Sequence, residues 1–144
     1  MSVRQQLCTF FLDGLYFGVE VQKVQEVIRY QEMTRVPLAQ PVVRGLINLR
    51  GQIVTAIDMR RRLGLPVLSA DRLPMNVVIR TDDGPVSLLV DEIGDVLEVD
   101  EDAYDAPPET LRGATRDLIK GAYKLNGRLL LTLDSDRAVN VTAS

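Results

Sequence analysis

The side chains best suited to catalysis are scarce in this sequence. Its 144 residues contain no histidine and a single cysteine, Cys8. Without histidine the chain cannot assemble a Ser-His-Asp or Cys-His nucleophile, and it offers no imidazole to a metal ion or a phosphoryl group. A single cysteine excludes an internal disulfide and a CxxC site, which fits a reducing compartment. No phosphate-binding glycine motif and no GxSxG string is present. An enzyme built from carboxylates, lysine or tyrosine stays open as an alternative.

Carboxylates are more abundant than basic side chains, and many of them lie between Asp91 and Asp105. One interpretation of this acidic segment is a calcium loop. Counted from Asp100, however, the sixth residue is Asp105 and the twelfth is Leu111, where an EF-hand requires glycine and glutamate. We therefore expect a solvated loop, and we predict neither a metal site nor a cofactor. The sequence fixes no carboxylate separation, so it indicates no acid–base pair.

The overall composition is typical of a globular protein. Hydrophobic residues make up 46% of the chain and charged residues 26%, and 17 basic against 20 acidic side chains give a net charge of −3. This charge lacks the basic footprint of a protein that binds nucleic acid. The apolar run from Leu7 to Leu12 is too short for an export signal or a membrane span. We expect a cytoplasmic protein that neither binds nucleic acid nor inserts directly into a membrane.

The N-terminal residues predict a β-hairpin. Two β-prone runs, Cys8–Leu12 and Leu15–Glu20, flank Asp13-Gly14, a pair that favours a type I′ turn. The apolar residues that follow recur at helical spacing, which predicts a short amphipathic helix over about 20–29. An extended connector, punctuated by two prolines, is expected over 33–41.

A second hairpin is predicted over 45–58, where two β-rich segments flank Arg50-Gly51. Asp58 is expected to cap a short helical turn that ends at Gly64, because both residue types suit those positions. The small and proline-containing segment 64–74 is predicted to be a linker.

The order of elements then repeats, and its last segment matches 45–58 at an offset of 76 residues. Strand-like runs at 76–80 and 86–90 follow the plan of the first hairpin, and 121–134, with Asn126-Gly127 at its centre, follows the plan of 45–58. The matching residues are Gly45 and Gly121, Leu49 and Leu125, Gly51 and Gly127, Asp58 and Asp134, and Arg61 and Arg137. An internal repeat of this kind is stronger support for the architecture than any single strand prediction.

Each repeat is too small to build an open sheet with protected edges. A half of about 70 residues with roughly five short strands closes its edges by curling into a barrel. We therefore predict a mainly β fold of two small barrels, with short helices, packed on a shared apolar layer. The first barrel is predicted to comprise 15–64 with an N-terminal strand 6–12, and the second to comprise 75–134. An exchange of strands between the halves is left open.

Most remaining charged and reactive side chains have a structural explanation. Asp58 and Asp134 occupy matching positions of the repeat, which indicates that both are helix caps. The triplet 60–62, three consecutive arginines, is expected to form a solvated face, and Cys8 is expected to pack within its strand. Glu26 and Arg50, considered alone, are ordinary surface charges.

Two strings in the first half change that view. KVQEVI runs from Lys23 to Ile28, and GLINLRGQIV runs from Gly45 to Val54, with IDMR shortly after. Together with the stretch Leu89–Leu97, these strings closely resemble the CheW family. Its members are coupling proteins that link bacterial chemoreceptors to the histidine kinase CheA. The resemblance extends over about 6–139.

The resemblance implies a single domain over 6–141, made of two five-stranded SH3-like barrels, that acts by binding and not by catalysis. The cytoplasmic tip of a chemoreceptor would occupy a groove between the barrels, and the regulatory domain of CheA would meet a barrel end. Matched residue by residue, the receptor groove would include Val24, Glu26, Arg50, Val77, Ile93 and Val96, and the kinase contact would include Gly45 and Gly51. The resemblance also implies recruitment to membrane receptor arrays, with at most weak self-association there.

Three alternatives accompany this interpretation. The first is the same adaptor role in a pathway that controls pilus motility or development. The second is a small enzyme on SH3-like barrels, and the third is a detached regulatory domain of a larger kinase, which the repeat boundaries disfavour. Many members of the family extend into a longer C-terminal helix, and we expect the packing of this chain after Val141 to differ from theirs.

Overall fold

The computed structural model describes residues 4–67 and 72–140 of the chain. Its strands are β1 (Arg4–Leu12), β2 (Leu15–Glu20), β3 (Val24–Ile28), β4 (Val43–Leu49), β5 (Gln52–Asp58), β6 (Met75–Ile79), β7 (Val86–Val90), β8 (Glu92–Asp100), β9 (Tyr104–Asp105), β10 (Ile119–Leu125) and β11 (Arg128–Leu133). The helices are short: α1 (Met59–Arg62), α2 (Gly113–Leu118) and α3 (Ser135–Ala138), with 3₁₀ turns at Val21–Lys23 and Glu101–Ala103.

Hydrogen bonding divides the strands between two sheets. The first sheet has five strands in the order β3-β6-β7-β5-β4, and the second has six in the order β8-β1-β2-β11-β10-β9. Each sheet contains one parallel pair, β5 with β7 and β2 with β11, and is otherwise antiparallel. The predicted mainly β fold is confirmed, and two sheets stand where two small barrels were predicted. The second sheet has one strand more than expected because the two-residue β9 joins its edge.

The sheets do not follow the two predicted halves, 15–64 with strand 6–12, and 75–134. The hairpin β1–β2 pairs with β8 and β11, in the second sheet. The hairpin β6–β7 pairs with β3 and β5, in the first sheet. The two hairpins are therefore exchanged, and the chain crosses between sheets at Val21–Lys23 and again at Asp91. Parallel pairing between segments so distant in sequence leaves no local signal, which is why residue patterns did not assign it.

The predicted helix over 20–29 is wrong. One 3₁₀ turn, Val21–Lys23, is followed directly by strand β3, which pairs with β6 along the edge of the first sheet. Short apolar runs fit helical and extended periodicity equally well, and β-branched residues such as Val24, Val27 and Ile28 favour the extended form. The unpaired edge of β6 supplies the hydrogen bonds that decide between the two.

The first two predicted hairpin turns are confirmed by their backbone angles, whereas in the third, Asn126-Gly127, only Gly127 has a positive φ. Asp13 and Gly14 have φ values of 52° and 77°, and Arg50 and Gly51 have φ values of 51° and 89°. Two consecutive residues with positive φ are the requirement of a type I′ turn. The Gly51 amide also donates to the Asn48 Oδ1 at 2.8 Å, which fixes the second turn.

The 76-residue repeat is visible in the hydrogen bonding. Asp58 caps α1 by accepting from the Arg61 amide, and Asp134 caps α3 by accepting from the Arg137 amide. The antiparallel pairs β4–β5 and β10–β11 also shift register at matching places, next to Gly45 and next to Gly121. Both predicted caps are thus confirmed.

Gly45 and Gly121 lie where each sheet curls back on itself. After β3, Thr34 bridges to Leu46 of β4, and a Cβ atom at Gly45 would lie 2.7 Å from the Thr34 carbonyl oxygen. In the second sheet β9 pairs with β10 at the edge, and a Cβ atom at Gly121 would lie 2.6 Å from the Asp105 carbonyl oxygen. Only glycine permits so close an approach of another backbone.

The apolar core has three parts. The largest cluster joins the two sheets, with Phe10 and Phe17 from the second sheet packed with Ile57, Val77 and Leu88 from the first. A smaller cluster lies within each sheet. The predicted shared apolar layer is therefore confirmed, and it holds the largest number of buried side chains. The predicted linker 64–74 includes residues 68–71, which lie outside the described part of the chain.

Two of the three arginines at 60–62, Arg60 and Arg62, do not belong to the predicted solvated face, whereas Arg61 is exposed. The Arg60 Nε and Nη2 atoms donate to the Asp91 carboxylate at 2.8 and 2.6 Å, and the two side chains are only 11% and 8% exposed. The Arg62 guanidinium donates to the Arg137 and Ala138 carbonyl oxygens at 2.9 and 3.2 Å, at the end of α3. These arginines tie α1 to the second sheet and to the repeat-related helix, which the sequence triplet alone does not reveal.

Candidate functional site

An ion pair between Glu26 and Arg50 connects two elements of the first sheet. Glu26 lies on the edge strand β3, and Arg50 lies at the tip of the β4–β5 turn. The Arg50 Nη2 donates to the Glu26 Oε2, although the sequence had suggested two separate surface charges. The Arg50 side chain is 70% exposed, so its guanidinium is available to a partner.

The pair also stabilises both charges. The hydrogen bond from Arg50 is the main cause that lowers the pKa of Glu26, and the bond to Glu26 raises the pKa of Arg50. The type I′ turn holds Arg50 at a positive φ, which few residues other than glycine and asparagine adopt readily. The turn and the ion pair therefore fix the direction of one exposed cation.

The predicted groove valines of the first sheet lie deeper than a contact surface would. Val77 on β6 is 1% exposed, and Val24 on β3 is 8% exposed. Both belong to the cluster that joins the sheets. Val77 is therefore an interior residue, and its side chain offers almost no exposed area to a partner. Three residues after Val24 in β3, Val27 is 38% exposed, and it was not among the groove residues predicted from the sequence.

The two predicted residues of β8 differ from each other. Ile93 is half-buried and packs against the cluster that joins the sheets, as Val24 and Val77 do. Val96 is 58% exposed and lies opposite Cys8 in the pairing of β8 with β1. Since β8 has β1 on one side and forms the edge of its sheet on the other, Val96 presents an apolar side chain on an edge strand.

The structure thus brings together two subsets of the six predicted groove residues. Glu26 and Arg50 form the ion pair, and Val24, Val77 and Ile93 meet in or against the cluster between the sheets. One further apolar residue, Ile53, is 60% exposed three positions after Arg50 in the same hairpin. Its partner across the hairpin is Asn48, and the alternating pattern of β5 is the signal that indicates its outward position.

The two glycines predicted at the kinase contact each have a structural role. Gly45 accommodates the close passage of Thr34, and Gly51 adopts the positive φ of the hairpin turn. A Cβ atom at Gly51 would meet no atom within 4 Å, so that side of the turn is open. These roles explain the residue type and leave the predicted contact as a prediction.

The described residues contain little that is suited to chemistry. Over 4–67 and 72–140, no group of three or more cysteine, aspartate or glutamate side chains is arranged to hold a metal ion. No helix within those ranges is long and apolar enough to cross a membrane. Cys8, the single thiol, has its pKa raised by burial, which disfavours the nucleophilic thiolate.

Several known proteins are similar to this chain. A family model described as a CheW-like domain matches residues 6–142. The "Chemotaxis protein CheW" of Bacillus subtilis is 31% identical over 97% of this chain and 90% of its own length. The protein of the same name from Thermotoga maritima is 29% identical over 93% of this chain and 87% of its own. A more distant relative is "Protein PilI" of Pseudomonas aeruginosa, 24% identical over 79% of this chain.

A solved structure has the same fold. The scaffolding protein TtCheW from Thermoanaerobacter tengcongensis superposes with a TM-score of 0.86, over 99% of this chain and 97% of its own, at 22% sequence identity. The likeness shows that the two chains share one fold. With the family model covering nearly the whole chain, these matches show that the protein belongs to the CheW-like domain family.

Proposed function

We propose that this protein is a non-catalytic scaffold in chemotaxis-type signalling, and that it couples the cytoplasmic tip of a chemoreceptor to the histidine kinase CheA. The observation that carries the proposal is the exposed Arg50 guanidinium, which is held by its ion pair with Glu26. The names of the curated relatives, chemotaxis proteins, and of the structural neighbour, a scaffolding protein, support it.

The receptor would bind where the two sheets meet. Exposed and half-buried apolar side chains, Val27, Ile93 and Val96, would provide contact area, with Val24 and Val77 as their buried support. Apolar contacts at the centre of an interface usually contribute most of the affinity. The ion pair would add orientation and selectivity, because charged groups at an interface discriminate between partners more than they add affinity.

The kinase would bind a barrel end near Gly45 and Gly51. Tight backbone turns without side chains allow the backbone of a partner to approach closely, and Gly51 faces open space. A regulatory domain of the same fold family would present a similar end. Binding of both partners to one rigid body changes kinase output only when the contacts differ between signalling states.

The proposed setting is cytoplasmic, with recruitment to membrane receptor arrays. Weak contacts are sufficient there, because linked binding sites gain affinity through high effective concentration. Weak self-association within the array belongs to the same proposal. A pathway that controls pilus motility or development is the alternative setting for the same adaptor role, and the genes adjacent to this one would distinguish the two.

The decisive experiment is co-purification with a receptor cytoplasmic fragment and the kinase regulatory domain from the same organism. We expect Arg50→Glu to lose receptor binding and kinase activation while the protein stays folded, with only a small fall in melting temperature, because an exposed ion pair contributes little to stability. The matched control is Arg116→Glu, an exposed arginine on α2. Full kinase activation by Arg50→Glu in reconstituted assemblies, or a collapsed thermal melt, would contradict the assignment.

A further inference from the structure

A cavity of about 310 Å³ opens at one end of the second sheet, and its lining includes none of the proposed groove residues. Leu7, Val19 and Leu133 provide apolar walls, and Tyr104 and Tyr123 provide aromatic ones. The rim is polar. The cavity therefore combines a small apolar chamber with charged groups at its entrance, the usual form of a specific binding pocket.

The two tyrosines form an aromatic corner. Their ring centroids lie 5.2 Å apart with the ring planes inclined at 58°, and Tyr104 is 43% exposed while Tyr123 is buried. The Tyr123 hydroxyl donates to the Gln5 Oε1 at 3.5 Å, the long limit of a hydrogen bond, so it can form a better one with a ligand. Burial, and next the nearby charges, raise the pKa of Tyr123, which keeps its hydroxyl neutral.

The entrance carries an excess of negative charge. Two carboxylates, Glu20 and Glu101, line the cavity against one ammonium group, that of Lys120. The Lys120 Nζ lies 3.4 Å from the Glu20 Oε1. Within the described part of the chain, the Glu101 carboxylate forms neither a hydrogen bond nor an ion pair. One carboxylate is thus available to a cation that enters beside the rings.

The fold itself does not require tyrosines here. Leu46 and Ala122 are related by the 76-residue offset, and each pairs with the segment that closes its sheet, Leu46 with Thr34 and Ala122 with Asp105 of β9. Tyr104 and Tyr123 therefore correspond to Met33 and Ile47, which pack with the internal cluster of the first sheet. In the first sheet these two positions hold Met33 and Ile47 in an apolar cluster, whereas in the second sheet they hold two tyrosines that line a cavity with acidic groups.

We propose that this cavity binds an arginine side chain of a protein partner. The methylene stem would lie along Leu7 and Val19, and the guanidinium would stack on the Tyr104 ring and pair with Glu101. Guanidinium is planar, weakly hydrated and the more frequent cation over aromatic rings, which favours arginine over lysine. This pocket is a second binding site, independent of the groove that contains Arg50.

The test uses the full chain and the capped tripeptide acetyl-Gly-Arg-Gly-amide, followed by NMR of the tyrosine ring signals. We expect saturable shifts at Tyr104 and Tyr123. The analogue with citrulline, which has nearly the same shape without the charge, should bind about tenfold more weakly, since it loses both the cation–π and the ionic contact. The lysine analogue should also bind more weakly than the arginine peptide.

Two variants sharpen the result. Glu101→Gln, at an exposed position, should weaken binding of the arginine peptide about threefold to tenfold, whereas Glu92→Gln at the opposite end of β8 should leave it unchanged. Tyr104→Phe should retain binding and Tyr104→Leu should lose it. Equal binding of the citrulline peptide, a preference for lysine, unshifted tyrosine signals, or full affinity in Glu101→Gln would each overturn the proposal.

Discussion

Replacing Asp91 by asparagine removes the negative charge from the ion pair that joins the two sheets. The Asp91 carboxylate accepts from the Arg60 Nε and Nη2 atoms at 2.8 and 2.6 Å and from the Asp13 amide at 2.8 Å. The Arg60 side chain is 11% exposed, so water cannot replace the lost charge. The asparagine oxygen would keep one of these hydrogen bonds and leave Arg60 with Asp13, at 3.7 Å, as its ion-pair partner and with Asp58 as a more distant negative charge.

The expected loss of stability is large for a single isosteric change. Breaking a buried ion pair by removing one partner costs about 3–5 kcal/mol, because the other charge stays buried without compensation. The residual contact with Asp13 places the expected value near the lower limit, about 3 kcal/mol. For a chain of this size that corresponds to a fall in melting temperature of about 10 °C.

The assay is urea unfolding at several pH values, with Asp95→Asn as control, since Asp95 is an exposed aspartate on the adjacent strand β8. Burial would raise the pKa of Asp91, but the hydrogen bonds from Arg60 and Asp13, with the charge of Arg60, hold it below its ordinary value. A lowered pKa contributes stability that is present above the unfolded pKa of about 3.9 and is lost as the pH falls through the folded pKa.

The difference between wild type and Asp91→Asn should therefore be constant from pH 5 to 7 and shrink below about pH 4. A midpoint equal to that of Asp95→Asn, or a difference that does not change on acidification, would refute the reasoning.

Two further substitutions separate buried supports from contact surfaces. Val77→Ala should lower the free energy of unfolding by about 2 kcal/mol through the cavity it leaves. Val96→Ala should change that free energy by less than about 0.5 kcal/mol and should weaken receptor binding. Calorimetry measures the stability and a pull-down measures the binding, and equal melting temperatures of the two variants would contradict the assignment of Val77 to the interior. Gly121→Ala should destabilise the protein by about 1–3 kcal/mol, because its Cβ atom would meet the Asp105 carbonyl oxygen and the Tyr104 ring, and thermal melting at wild-type temperature would show that β9 moves aside without cost.

The local parts of the fold could be predicted from the sequence. Asp13-Gly14 and Arg50-Gly51 define their turns through the backbone angles of two residues, and Asp58 and Asp134 define caps through one side chain each. The 76-residue repeat predicted two similar β-rich units, and the structure has two sheets. Edge strand β3 was mistaken for a helix because five apolar-rich residues carry no decisive period, and pairing with β6 decides their conformation.

The non-local parts could not be predicted. The exchange of hairpins depends on the parallel pairing of β2 with β11. These two strands are more than a hundred residues apart in the sequence. The ion pair between Arg60 and Asp91 depends on that exchange, since Asp91 lies at the crossing point. In the candidate site, the resemblance supplied Glu26 and Arg50, but only the structure shows that they are paired and that Val77 is interior.

The exchange of hairpins also determines the order in which the strands of each sheet are synthesised. The first sheet is built from the continuous segment 24–90 and can form as soon as that segment is available. The hairpin β1–β2 emerges earlier, yet β11 follows it by more than a hundred residues, a delay of about ten seconds at ordinary rates of translation. In the folded protein Phe10 and Phe17 pack in the same cluster as Ile57 of the first sheet. A first sheet that forms early would therefore offer the hairpin an apolar surface before β11, its last neighbouring strand, is synthesised.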